Sequence, residues 1–288
     1  MAQPGDLRRA DSAAPRSAAF GWATIVFGLA AALVFITPAV RDAIGERITV
    51  ESLLAANVLF YLVLFAPLIV LALALGAVGR RPVLRAGRTP MRWSLVGLAI
   101  GVGGVATCVL YVWLNGTLRE AANPAVPPSY LLVGLATTLL GVVAEEMLFR
   151  GWLLPALEDR VGASLAVLLS AIAFSAFHLW AGGAVDAISL ANLLLGGLWF
   201  GLLAQRSGGI VAPIAAHLGW NAAEDIGLGL VPNPGSGELG ALANYDMVGG
   251  PLWGGAEEGL NASIAMTLVL AALVIPLLPR FAGRPARA

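Results

Sequence analysis

Lysine is absent. All 17 basic residues are arginine, and 17 acidic residues balance them to a formal net charge of zero. A chain without net positive charge lacks the electrostatic footprint of a nucleic-acid binder, so no nucleic-acid partner is expected. Cysteine occurs once, as Cys108. That excludes an internal disulfide and a zinc site built from several thiolates, and its apolar surroundings suit a small buried hydrophobe. Charge of either sign is scarce: 12% of residues, against about 25% in an ordinary soluble domain. Histidine occurs only twice, as His178 and His217.

What fills the chain is apolar. Hydrophobic residues make up 59% of the 288 positions and the mean hydropathy is +0.85. They come in runs of about 20 residues, the length that spans a hydrocarbon core. The pattern predicts an all-α fold, a polytopic transmembrane helical bundle in a lipid bilayer. About eight spans are expected, at 18–40, 53–79, 93–114, 129–157, 163–181, 187–205, 209–226 and 260–279. The run from Ala18 is too long for the apolar part of a signal peptide and reads as a retained span.

The expected organisation follows. Residues 1–17 form a disordered cytoplasmic N-terminus, 18–128 the N-terminal transmembrane helices, and 129–226 a core of four further spans. Residues 227–259, with ten glycines and three prolines, form an extracytoplasmic loop, and 260–288 the last helix and tail. With the N-terminus inside, thirteen arginines fall in cytoplasmic segments and three, Arg41, Arg47 and Arg119, fall outside. That bias favours both termini in the cytoplasm. Gly97/Gly101 and Gly197/Gly201 are GxxxG pairs, which let membrane helices approach closely.

Three charges break the fourth run: Glu145, Glu146 and Arg150. Each costs roughly 2.5–3.5 kcal/mol at a bilayer centre on insertion scales, so each needs a partner or a function. Glu146 and Arg150 stand four residues apart on one helix face and can pair. Glu145 points elsewhere and needs another partner. Both histidines lie in spans, and Asn221 follows His217 by one turn. At about 1.5 Å of rise per residue, Glu145, His178 and His217 lie roughly 18, 22 and 12 Å from the cytoplasmic ends of their spans. They are expected to meet in one intramembrane pocket.

A carboxylate and an imidazole can activate a water molecule. A second imidazole and an amide can donate to a developing oxyanion. That set suits hydrolysis of an acyl bond, foremost a peptide bond. The same side chains, Glu145, His178 and His217, are candidate metal ligands: two imidazoles and a carboxylate leave an open position, as catalytic zinc sites do. The residues leave open whether the cofactor is zinc or none.

The order Glu145–Glu146–Met–Leu–Phe–Arg150, Phe174–Ser–Ala–Phe–His178 and His217–Leu–Gly–Trp–Asn221 resembles the CAAX protease and bacteriocin-processing family (CPBP, or Abi), over about residues 130–225. The resemblance implies an intramembrane endopeptidase related to the type II CAAX prenyl endopeptidase, in a family commonly labelled metalloprotease. It implies that Glu145 and His178 activate water, that Glu146 and Arg150 support the glutamate, and that His217 and Asn221 stabilise the oxyanion. Its expected substrate is a peptide or a membrane-protein tail, and its expected location the bacterial plasma membrane. Two other readings are a non-catalytic membrane scaffold or immunity protein, and a proton-coupled carrier using the same Glu and His residues.

Overall fold

Each apolar run folds as helix. The computed structural model describes residues 18–122, 126–182, 186–230, 239–254 and 259–278. The chain starts with α1 (Ala18–Phe35) and α2 (Pro38–Gly45), bent by 42° at Thr37. Thr37 precedes a proline and is held extended, at φ −57° and ψ 143°, so the helix cannot run through it. Next come α3 (Leu53–Gly79) and α4 (Pro90–Leu114). The Ser52 hydroxyl caps α3 by accepting from the Ala55 amide.

The fourth run is one bent rod: α5 (Pro128–Glu146), a π-helical turn over Met147–Leu153, and α6 (Leu154–Val161). Pro155 accounts for the π turn. It has no N–H to offer, and its ring crowds the carbonyl four residues back, so the turn before it widens. α7 (Ala163–Trp180), α8 (Ala187–Ser207) and α9 (Val211–Asn221) follow, α9 ending in a second π turn over Ala222–Gly227. The last helix is α10 (Ile264–Val274).

Among the described residues, five helical stretches are long and apolar enough to cross a membrane, or six if the bent α1–α2 pair is one span. Five or six of the eight expected spans are thus matched by length and composition. The rods at 211–227 and 264–277 stop short of a full crossing. Within the five, only 28–56% of the residues are buried while mean hydropathy is 1.8–2.9. Outward faces carry Phe27, Val70, Leu98, Leu110 and Trp113 in the open. Lipid is the solvent that such faces fit.

The fold is all-α as expected, with only two three-residue strands among the described residues. β1 (Leu118–Glu120) pairs antiparallel with β2 (Tyr245–Met247), Arg119 opposite Asp246. Both lie in segments between spans, where pairing satisfies backbone groups that no helix uses. The expected disordered N-terminus and the C-terminal tail from 279 lie outside the described residues.

Glycines set the helix spacings around the site. A Cβ on Gly97 would stand 2.7 Å from the Ala212 carbonyl oxygen, and one on Gly101 would collide with that of Ala216. From the other side, a Cβ on Gly219 would stand 2.7 Å from the Leu98 carbonyl oxygen. α4 and α9 thus touch backbone to backbone. Gly197 brings α8 onto α7 likewise, its Cβ position 2.9 Å from the Ala171 Cα. Both GxxxG pairs pack helices, as expected.

Candidate active site

The π turn of the fourth rod carries the first motif inward. Arg150 and Glu146 are fully buried, and Arg150 Nη1 donates to Glu146 Oε1 at 2.9 Å. Arg150 Nη2 donates to the Gly197 carbonyl at 3.1 Å, a reach that the close α7–α8 approach allows. The guanidinium lies 4.5 Å from the Phe174 ring centre and 5.3 Å from that of Phe200. A buried cation thus has a carboxylate, a carbonyl and two π faces around it.

Glu146 also holds α9. His217 Nδ1 is 3.0 Å from the same Oε1 that Arg150 uses. The His217 ring stacks on Phe200, with centres 4.5 Å apart and 20° between planes. His178 is fixed by its Nδ1, which donates to the Phe174 carbonyl at 3.0 Å, and by the Phe174 ring 4.4 Å away. Phe174 is therefore a wall that holds both His178 and Arg150.

These contacts select the tautomers. A carbonyl oxygen only accepts, so the His178 hydrogen sits on Nδ1 and its neutral Nε2 is a lone pair. An ionised Glu146 selects the same tautomer for neutral His217. Both Nε2 atoms turn toward Glu145: Oε2 lies 3.9 Å from that of His178 and 4.0 Å from that of His217. That Oε2 is buried with no hydrogen-bond partner among the described residues.

The three groups face a cavity of about 370 Å³, which Asn221 also lines. The site residues from α5, α7 and α9 are thus brought together, with Arg150 and Phe174 behind them. Among the described residues no three His, Cys, Asp or Glu side chains gather as a metal-ligand set. The donor chemistry of Glu145, His178 and His217 suits a cation, but their spacing does not form a coordination sphere.

Sequence reasoning missed part of the wall. α3, which matched no motif, lines the cavity with Phe60, Tyr61 and Phe65. Glu224 and Asp225, on the second π turn, are buried in the same wall, and Trp220 Nε1 donates to Glu224 Oε2 at 3.1 Å. Their signal was the one that exposed Glu145: an acidic pair inside an apolar run. Asn192 of α8 donates to the carbonyls of Asn261 and Ser263 at 2.9 and 3.0 Å and accepts from Thr267 Oγ1 at 2.6 Å. It ties the C-terminal segment to the cavity wall.

Comparison with known proteins agrees with this assembly. Residues 127–223 match the family described as type II CAAX prenyl endopeptidase Rce1-like. A putative membrane peptidase, YdiL, of Bacillus subtilis is 27% identical over 195 residues, covering 62% of this chain and 74% of its own. An uncharacterized 24.3 kDa protein of Escherichia coli is 30% identical over 140 residues, 43% of this chain and 60% of its own. A fluoride-specific ion channel of Symbiobacterium thermophilum is 31% identical over 91 residues, which is 31% of this chain and 67% of its own. The match to residues 127–223 contains Glu145, Glu146, Arg150, Phe174, His178, His217 and Asn221. Five of those side chains, Glu145, Phe174, His178, His217 and Asn221, line one cavity, with Glu146 and Arg150 behind them, so the part of this integral membrane protein that holds the site is the part similar to the Rce1-like CAAX endopeptidase family.

Proposed function

We propose that the chain is an intramembrane peptidase that cleaves a peptide or a membrane-protein tail with water activated by Glu145 and His178. The observation that carries this reading is the Glu145 oxygen: buried, without a hydrogen-bond partner, and 3.9 Å from a lone-pair nitrogen of His178. A water spanning that gap donates one hydrogen to each. Glu145 takes a proton as the water oxygen attacks the carbonyl carbon of the scissile bond, and returns it to the departing amine. The products are a carboxylic acid and an amine.

The tetrahedral oxyanion meets Asn221 Nδ2 and His217. With Nδ1 committed to Glu146, His217 donates from Nε2 only as an imidazolium, and Glu146 is placed to support that form. Glu146 and Arg150 therefore act by position, holding His217 and the π turn. No step is routed through a metal, because the side chains are not spaced as ligands. The reading takes the membrane to be a bacterial plasma membrane, and the arginine distribution supports both termini in the cytoplasm.

The test is cleavage of a mixed peptide library by purified protein in detergent, read by mass spectrometry. Wild type, Glu145→Gln and His178→Ala run side by side, with and without a chelator. Products from wild type alone, unchanged by chelator, support the reading as stated. Chelator-sensitive products replace it with a metal-dependent peptidase. Products from Glu145→Gln at the wild-type rate sink it, and activity of that variant in a deletion strain then favours the scaffold reading.

A further inference from the structure

Arg41 is the one permanent cation lining the cavity among the described residues; the other charged lining residues are Glu145, Glu224 and Asp225, beside two histidines. It stands on the short α2, beyond the bend at Thr37, where an arginine normally turns its head to water or lipid headgroups. Here the guanidinium lies over the end of α7. Its Nη2 comes within 3.9 Å of where a Cβ on Gly182 would stand, one turn past His178. Gly182 has φ +78° and no side chain to fill that space.

The Nε of Arg41 is buried and has no hydrogen-bond partner among the described residues, and none of their ion pairs includes Arg41. A buried guanidinium hydrogen without an acceptor is costly to keep. A ligand carboxylate is a partner that would complete it, since the planar fork of arginine matches a carboxylate. Carboxylates elsewhere on the wall repel an anion, so the Arg41 end is where one can be received.

We infer that Arg41 binds a carboxylate of the substrate peptide and so sets which side of the scissile bond carries the anion. The inference rests on the peptidase reading and narrows its substrate class to peptides with an acidic group near the cut.

The test is binding to Glu145→Gln protein in detergent, which holds peptide without cutting it. Three pools of N-acetylated hydrophobic tetrapeptides are compared: free C-terminal acid, C-terminal amide, and amide with one internal glutamate. One acidic pool is expected to bind about tenfold or more tighter than the plain amide, as a charge-assisted contact allows. Which acidic pool wins separates a terminal from a side-chain carboxylate. Adding Arg41→Gln should erase the preference without weakening the amide, and Arg41→Lys should retain part of it. Equal binding of all pools, a preference that survives Arg41→Gln, or no binding of any pool overturns the inference. Wild-type protein given the same pools separates the two readings. Arg41-dependent binding without product counts against the peptidase alone. Product formed with no Arg41 dependence counts against the carboxylate site alone.

Discussion

Nδ1 of His217 lies 3.0 Å from Oε1 of Glu146, across the gap between α9 and the start of the π turn. The same oxygen takes the Arg150 hydrogen bond. Glu146 Oε1 thus takes both partners, whereas Glu145, which lines the cavity, turns an unpartnered Oε2 toward Nε2 of both histidines. Two adjacent carboxylates have separate work: one holds the site together and one faces the cavity.

Glu145→Gln should keep the fold and lose the base. A positioned general base contributes about 10²–10⁴-fold, so kcat should fall by that range while thermal stability stays near wild type. Rate and melting temperature on one preparation check both halves. A rate within threefold of wild type would remove Glu145 from the chemistry.

Breaking the buried pair should behave differently. Arg150→Met leaves Glu146 buried without its cation, and such a loss costs about 3–5 kcal/mol. Glu146→Gln with Arg150→Met removes both charges and should recover much of that stability. It should not recover activity, because His217 loses its carboxylate. A double-mutant cycle in detergent, read by denaturation and by cleavage, separates the two effects.

Much of this was readable in the chain because hydrocarbon makes charge expensive. Glu145, Glu146, Arg150, His178 and His217 stood out as polar residues in apolar runs, and helical rise placed three of them at similar depth. The pairing of Glu146 with Arg150 followed from a four-residue spacing. Three things did not follow. The π turn over Met147–Leu153 depends on how Pro155 is accommodated within a continuous rod, which spacing alone does not specify. The cavity wall from α3 depends on which face of an evenly apolar helix turns inward, and an all-round apolar sequence carries no such preference. The antiparallel contact of β1 with β2 joins residues more than a hundred positions apart.

The role of Trp220 and Glu224 can be read from one contrast. Glu224→Leu strands the buried indole N–H, at about 1–3 kcal/mol. Glu224→Gln keeps an acceptor for it and should cost clearly less. Thermal denaturation of both variants checks the difference. Equal losses would show that the hydrogen bond at 3.1 Å does not hold α9.

The helix contact that carries His217 and Asn221 is the most exposed to a small change. Gly101 faces the α9 backbone so closely that a Cβ would collide with the Ala216 carbonyl oxygen and stand 2.8 Å from the Trp220 nitrogen. Backbone cannot move aside as a side chain can, so α9 itself must shift. Overpacking of this kind costs about 1–3 kcal/mol. Gly103, two residues along α4, has nothing within 4 Å of its Cβ position. Gly101→Ala and Gly103→Ala make the same chemical change and gain the same helix propensity, up to about 1 kcal/mol. Gly101→Ala should therefore lower both stability and kcat/KM, because the displaced helix carries His217 and Asn221 away from Glu145. Gly103→Ala should leave the rate unchanged and raise stability slightly. If both variants match wild type in rate, the α4–α9 contact does not set the geometry of the site.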